Sequence, residues 1–170
     1  MTKQEWHLSK SQELYESAEC EYQRTYFDEK TGGFVLTHEQ HGKQNIQSEQ
    51  FVAQVFATQG KQVRLLKEIG LPEGVKTPDA EIDSALWDFK RLTDEATSLA
   101  NRVQAGIKQA IKQGAANVGY HIDRSEYDLS EIERGIKRAL DLDIAEQIDR
   151  VVLIFKDGSM DIYDRTRFES

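Results

Sequence analysis

The stretch KTPDAEIDSALWDFK, residues 76–90, decides the fold because its apolar and polar side chains alternate. The alternation has a period of two on both sides of a turn at Asp83–Ser84, which is typical of half-buried strands. The stretch therefore predicts two paired strands joined by a tight turn. Because residues two apart on a strand share a face, Asp88 and Lys90 are predicted to point to the same side.

Further helices and strands are predicted on both sides of these strands. Asn45 is predicted to cap a helix, and Ser130 and Glu133 form a potential capping box for a later one. Period and turn residues predict the following segments: a helix over 3–24, a strand at 34–36, a helix over 46–59, a strand at 63–66, a helix over 97–113, a strand at 116–122 and a closing hairpin that turns at Asp157–Gly158. This order predicts an α/β domain with a mixed β-sheet flanked by helices.

Composition limits the classes of function. The 170 residues carry a formal net charge of −8, which argues against a protein that coats nucleic acid non-specifically. Residues 90–112 are locally basic, with five bases against two acids, although such a segment is most simply a solvated helix face. The single cysteine excludes an internal disulfide and a cysteine-based zinc site. No apolar run approaches the length of a membrane span, so no membrane partner is expected.

The acids of the opening stretch favour a divalent cation site. Asp79 precedes one predicted strand and Asp88 lies on the next, and oxygen ligands of this kind hold Mg²⁺. Glu49 lies in the first turn of the preceding predicted helix and could point to the same corner. Lys90, beside Asp88, could position a nucleophile or stabilise an oxyanion. These four residues predict metal-dependent cleavage of a phosphodiester, whereas a charged hairpin of surface ion pairs is the alternative.

Pro78-Asp79, the predicted hairpin and Asp88-x-Lys90 together resemble the signature of the PD-(D/E)xK nuclease superfamily. The flanking segments SEQFVAQVFATQGKQVRLLKE and IKQAIKQGAANVGYHI resemble the helix and strand on either side of that signature. Within the superfamily, the sequence resembles C-terminal toxin nuclease domains of contact-dependent inhibition and related polymorphic toxin systems. The resemblance implies a restriction-endonuclease-like core over residues 31–170, after a helical N-terminal extension over residues 1–30.

The resemblance also implies roles for single residues. Glu49, Asp79 and Asp88 resemble the metal ligands, for Mg²⁺ or Mn²⁺, and Lys90 resembles the catalytic lysine. One polar residue is often found beside this site, and the candidates for it are Gln109 and Gln113. Asp88 stands where glutamate is commoner, and Asp83-Ser84 stands where the family usually has a glycine.

Substrate and partner follow from the same resemblance. It implies a nucleic acid substrate, transfer RNA rather than DNA, and a cognate immunity protein. A toxin of this kind would act in the cytoplasm of a target cell. Two alternatives stay open, namely a DNase of the same fold and a non-catalytic interaction module associated with phage or secretion.

Histidines offer a second possible metal site. His38 and His41 form a His-x-x-His pattern beside Glu39, and such a spacing puts two histidines on one face of a helix. Here the pattern follows a predicted strand in a glycine-flanked loop, which does not favour that arrangement. His7 and His121 are most simply a surface residue and a strand residue.

Overall fold

The structure is a computed structural model that describes residues 1–168. Its strands form one eight-stranded mixed sheet, in which the order of strands follows the order of the chain. The helices are α1 (Lys3–Glu16), α2 (Ile46–Thr58), α3 (Leu99–Lys112) and α4 (Leu129–Leu142), and a 3₁₀ helix covers Arg165–Phe168. The strands are β1 (Tyr22–Phe27), β2 (Phe34–His38), β3 (Gln62–Leu65), β4 (Ala80–Ile82), β5 (Ala85–Thr93), β6 (Asn117–Asp123), β7 (Arg150–Phe155) and β8 (Met160–Asp164). The predicted α/β class with a mixed sheet and flanking helices is confirmed.

The chain divides into two compact units, residues 1–85 and the residues from 86 onward. In the first unit, β1 and β2 are antiparallel, β2 and β3 are parallel, and β3 and β4 are antiparallel. The parallel pair places Thr37 opposite Leu65. The chain after β2 and the chain after β3 therefore leave the sheet side by side, which brings His41 close to Glu68.

Helix α2 covers the first unit with an apolar face, as its sequence predicted. Val52, Val55 and Phe56 are buried. Asn45 immediately precedes the helix but has a left-handed backbone with φ of 62°, and its side chain makes no capping hydrogen bond. Asn45 is therefore the N-cap residue, as predicted, but it caps without its side chain, since a side chain on a left-handed residue does not point at the free amides of the first turn as an extended capping residue does.

In the second unit, β5, β6 and β7 are parallel and β8 returns antiparallel to β7. Helices α3 and α4 contribute their apolar stripes to a core that includes Val103, Ile107 and Ile136. The predicted final turn is confirmed, with φ of 85° at Gly158. The predicted capping box at Ser130 is wrong because α4 begins two residues earlier, at Leu129, and the carboxylate of its N-cap residue Asp128 accepts from the amide of Ser130.

The N-terminal region differs from the helix predicted over residues 3–24. Helix α1 ends at Glu16, and residues 22–27 form strand β1, which pairs with β2. Pairing with a neighbouring strand outweighs the local helical preference here. Within residues 1–168, no helix combines the length and apolar character that crossing a membrane requires.

Candidate functional site

Asp88 and Lys90 form a charged pair on strand β5. As the period-two prediction required, they lie on one face of the strand, and the Lys90 Nζ lies 2.8 Å from Asp88 Oδ2. Asp88 is only 3% exposed, whereas Lys90 is half-buried. An aspartate this buried is unusual unless it is paired or binds a cation.

The Asp88 carboxylate is not fully satisfied. Its Oδ2 is buried and accepts no hydrogen bond among the described residues, because the contact with Lys90 has the distance of an ion pair but lacks hydrogen-bond geometry. A buried acceptor in this condition normally has a functional explanation. A carboxylate oxygen with remaining capacity is the kind of donor that a hard divalent cation takes. The residues present therefore fit the metal that the family resemblance implies.

Gln109 on α3 completes this cluster. Lys90 Nζ donates to Gln109 Oε1 at 3.0 Å. Of the two glutamines proposed from the sequence, Gln109 is thus the one that contacts the lysine, whereas Gln113 is the C-cap residue of α3. The close approach of α3 depends on Gly106, where a Cβ would lie 1.9 Å from the Tyr120 hydroxyl oxygen on β6.

The buried Tyr120 lies beside this cluster, and its pKa is affected by the charge of Asp88. Burial raises the pKa of Tyr120, and the negative charge of Asp88 raises it further. Tyr120 donates its hydroxyl to the main-chain carbonyl of Arg102 at 3.3 Å. It therefore serves as a neutral, structural neighbour of the Asp88 carboxylate.

Asp79 lies at the entrance of β4 and is half-buried. Its main-chain carbonyl accepts from the amide of Leu66 at 2.9 Å, which fixes the backbone at Pro78-Asp79 beside the end of β3. The tight turn at the far end of β4 has positive φ at both Asp83 and Ser84. Positive φ at both central residues is typical of a type I′ turn, in which asparagine and glycine are usual. Asp83 and Ser84 occupy these positions at the cost of some backbone strain.

Glu49 belongs to a buried cluster that the sequence did not predict. It lies in the first turn of α2, where the helix dipole favours an acid, and it is 8% exposed. Its Oε2 contacts His41 Nε2. The other ring nitrogen, His41 Nδ1, lies 2.6 Å from the Leu66 carbonyl oxygen and 2.8 Å from Glu68 Oε1. His41, Glu49 and Glu68 each offer a ligand atom, and these atoms all lie within 4.8 Å of one another.

The two carboxylates control the protonation of His41. Burial lowers the pKa of the ring, but hydrogen bonds to Glu49, Glu68 and the Leu66 carbonyl outweigh it and raise the pKa to about 10. The imidazole is therefore a cation in the metal-free protein at neutral pH. It supplies one positive charge to two carboxylates.

Backbone hydrogen bonds place Glu68 beside His41. The amides of Glu68 and Ile69 both donate to the Gln40 carbonyl, at 3.0 and 2.9 Å. The only sequence signal for this contact was the polar end of the KQVRLLKE run. His38, the other histidine of the His-x-x-His pattern, lies edge-on to Tyr22 and accepts from the Gln40 amide through Nδ1, so the two histidines do not form one site.

The predicted site residues thus fall into two groups. Glu49 and Asp79 belong to the first compact unit, and Asp88 and Lys90 belong to the second. Asp88 and Lys90 are in contact, together with Gln109, and Glu49 is in contact with His41. That all four predicted residues serve one cation stays a prediction.

The family model for the contact-dependent growth inhibition CdiA C-terminal domain matches residues 76–160, which is 85 of the 170 residues. The chain belongs to this family. The matched region of this CdiA C-terminal domain begins three residues before Asp79 and includes Asp88, Lys90 and Gln109. No curated protein matches the sequence.

The fold of this CdiA C-terminal domain is also similar to a solved one. The CdiA-CT/CdiI toxin and immunity complex from Burkholderia pseudomallei matches with a TM-score of 0.51 and 20% sequence identity, covering 71% of this chain and 85% of that chain. At this identity the likeness establishes the fold.

Proposed function

We propose that this CdiA C-terminal domain is a toxin that hydrolyses phosphodiester bonds of nucleic acid, with transfer RNA as the favoured substrate and a divalent cation as cofactor. The cluster of buried Asp88, half-buried Lys90 and exposed Gln109 carries the proposal. A structural ion pair on a surface strand needs neither a buried aspartate nor a third polar side chain that orients the lysine. Supporting contacts of this kind are what hold a functional side chain in position.

Lys90 is the residue that we expect to act on the reacting phosphate. Its ammonium lies 2.8 Å from Asp88 Oδ2 and donates a hydrogen bond to Gln109 Oε1, which restricts the directions of its other N–H groups. A fixed ammonium can hold the attacking water or donate to the oxygen that gains negative charge. Because Lys90 is half-buried, it remains within reach of a phosphate at the surface.

Asp79, Asp88 and Glu49 would hold the cation, Mg²⁺ or Mn²⁺. Such an ion lowers the pKa of bound water and neutralises charge on the phosphate. The exposed bases on α3, Arg102, Lys108 and Lys112, would contribute phosphate contacts that position the substrate without reading its sequence. This local charge allows an acidic protein to bind a polyanion.

A cognate immunity protein is the expected partner. The proposal rests on family membership and on the solved structure of similar fold, which is a toxin and immunity complex. A toxin with this activity would act in the cytoplasm of a target cell, and its producer would need protection. A membrane is not among the proposed partners.

One gel tests the function. The protein is incubated with total transfer RNA and with plasmid DNA, in Mg²⁺, in Mn²⁺ and in a chelator, beside Asp79→Ala, Lys90→Ala and the control Lys137→Ala, an exposed lysine of α4. We expect metal-dependent cleavage of transfer RNA by the wild type and by Lys137→Ala, and none by the other two variants.

The remaining outcomes separate the alternatives. Cleavage of plasmid DNA alone would identify a DNase of the same fold. No cleavage, together with no rise in melting temperature on adding Mg²⁺ or Mn²⁺, would favour a non-catalytic interaction module. Cleavage by both Asp79→Ala and Lys90→Ala at the wild-type rate would reject the assigned residues.

A further inference from the structure

The two sides of the His41 ring have different chemical surroundings. Nδ1 faces two acceptors, the Leu66 carbonyl oxygen at 2.6 Å and Glu68 Oε1 at 2.8 Å, so this nitrogen carries a proton. Nε2 faces a third acceptor, the Glu49 carboxylate. When the ring is neutral with its proton on Nδ1, Nε2 presents a lone pair to a carboxylate oxygen. Either a proton or a metal cation must then lie between these two atoms.

The surroundings of the ring match those of metal-binding histidines. Such a histidine usually donates its second ring N–H to a carboxylate or a main-chain carbonyl, which fixes the tautomer and orients the ring. Glu68 and the Leu66 carbonyl provide both kinds of acceptor on the Nδ1 side. Their positions are fixed, because the Glu68 amide is bound to the Gln40 carbonyl and Glu68 Oε1 accepts from the Gly42 amide at 3.3 Å.

The charge and burial of these side chains also favour a bound cation. His41 is 3% exposed and Glu49 is 8% exposed. A single imidazolium brings one positive charge to two carboxylates, of which Glu49 is buried and Glu68 is half-buried. A divalent cation with a neutral imidazole leaves the cluster without net charge.

We propose that His41 Nε2 and Glu49 bind a first-row transition metal ion such as Mn²⁺ or Zn²⁺, with Glu68 as the residue that positions the His41 ring. The inference rests on the proposed function in one respect, that Glu49 belongs to the cation site. It names the class of that ion. Mg²⁺ prefers oxygen ligands and keeps its waters, whereas an imidazole nitrogen favours the later divalent metals.

The test uses the full chain without substrate, with Mn²⁺ as the probe. Pulsed electron paramagnetic resonance of the bound ion detects a directly coordinated nitrogen through its magnetic coupling. His41→Gln keeps a hydrogen-bonding side chain of similar length but removes the imidazole. His38→Gln is the matched control, because His38 lies in the same segment and contacts Tyr22 rather than the carboxylates.

We expect nitrogen coupling in the wild type and in His38→Gln, and its loss in His41→Gln. Bound Mn²⁺ without nitrogen coupling in the wild type, coupling that survives His41→Gln, or no Mn²⁺ binding at all would each overturn the proposal. If His41→Gln does not fold, Glu68→Gln provides the second test. Weakening of Mn²⁺ affinity by about 10-fold or more is expected when such a supporting carboxylate is lost, and an unchanged affinity would count against it.

The binding result is separable from the nuclease result. A protein that coordinates Mn²⁺ through nitrogen but cleaves neither RNA nor DNA would keep this inference and reject the proposed function. Cleavage that is supported by Mg²⁺, in a protein whose bound Mn²⁺ has no nitrogen ligand, would do the reverse.

Discussion

The two clusters differ in how many carboxylates face each positively charged group. In the second unit, one carboxylate, Asp88, faces one ammonium, which also donates a hydrogen bond to Gln109. In the first unit, two carboxylates, Glu49 and Glu68, face one imidazole. The first cluster therefore brings two carboxylates to one positively charged ring, whereas the second brings one carboxylate to one ammonium.

This difference suits the two clusters to different roles in the proposed reaction. A cluster with two carboxylates and one positively charged ring is suited to binding a metal ion, because the ion supplies further positive charge. A cluster that includes an ammonium group is suited to acting on a phosphate. Under the proposed function, the first cluster contributes mainly to cofactor binding and the second contributes mainly to the reaction.

The largest expected change in the free energy of unfolding comes from Glu49→Ala. It leaves His41 buried with one of its carboxylates gone, and breaking a buried ion pair costs roughly 3 to 5 kcal/mol. Denaturant unfolding of the metal-free protein, followed by circular dichroism, measures this loss. Glu39→Ala is the matched control, since Glu39 is an exposed acid of the same segment and should change the free energy of unfolding by less than about 0.5 kcal/mol. Equal losses in the two variants would contradict the assigned role of the cluster.

Asp88→Asn is expected to cost activity rather than stability. The amide has nearly the same shape but no charge, so both the cation ligand and the partner of the Lys90 ammonium are lost. We expect cleavage to slow by at least about 100-fold, the usual effect of removing one electrostatic group from an active site. Single-turnover cleavage of transfer RNA measures the rate, and a rate within a few-fold of the wild type would show that Asp88 has no catalytic role.

A smaller effect distinguishes the two glutamines of α3. Gln109→Ala removes a hydrogen bond to a charged group, worth roughly 1.5 kcal/mol, so we expect about a tenfold slower reaction. Gln113→Ala should leave the rate unchanged, because Gln113 is a C-cap residue of the helix. The same cleavage assay compares the two variants, and equal rates would show that Gln109 does not contribute to the reaction.

The cluster of the second unit could be predicted because its residues are close in the chain. Asp88 and Lys90 are two apart on a strand, so the pleat alone places them on one face. Gln109 was a candidate from the family resemblance alone, which did not distinguish it from Gln113. Local periodicity also predicted α2, α3 and the final turn.

The cluster of the first unit could not be predicted because it depends on long-range register. His41 and Glu68 meet only because β2 and β3 are parallel with Thr37 opposite Leu65. A shift of this register would separate them without changing any local pattern. The capping hydrogen bonds could not be predicted for a different reason. Several polar residues precede each helix, and the choice among them depends on the backbone conformation rather than on residue type.

The central claim is that both clusters serve one reaction, and a double-mutant cycle with Glu49→Gln and Asp88→Asn tests it most directly. The single-turnover cleavage rate is measured for the wild type, both single variants and the double variant at saturating Mn²⁺. Residues that act as a unit have non-additive effects, so the double variant should be no slower than the slower single variant. Losses that multiply in the double variant, or a wild-type rate in either single variant, would contradict the claim.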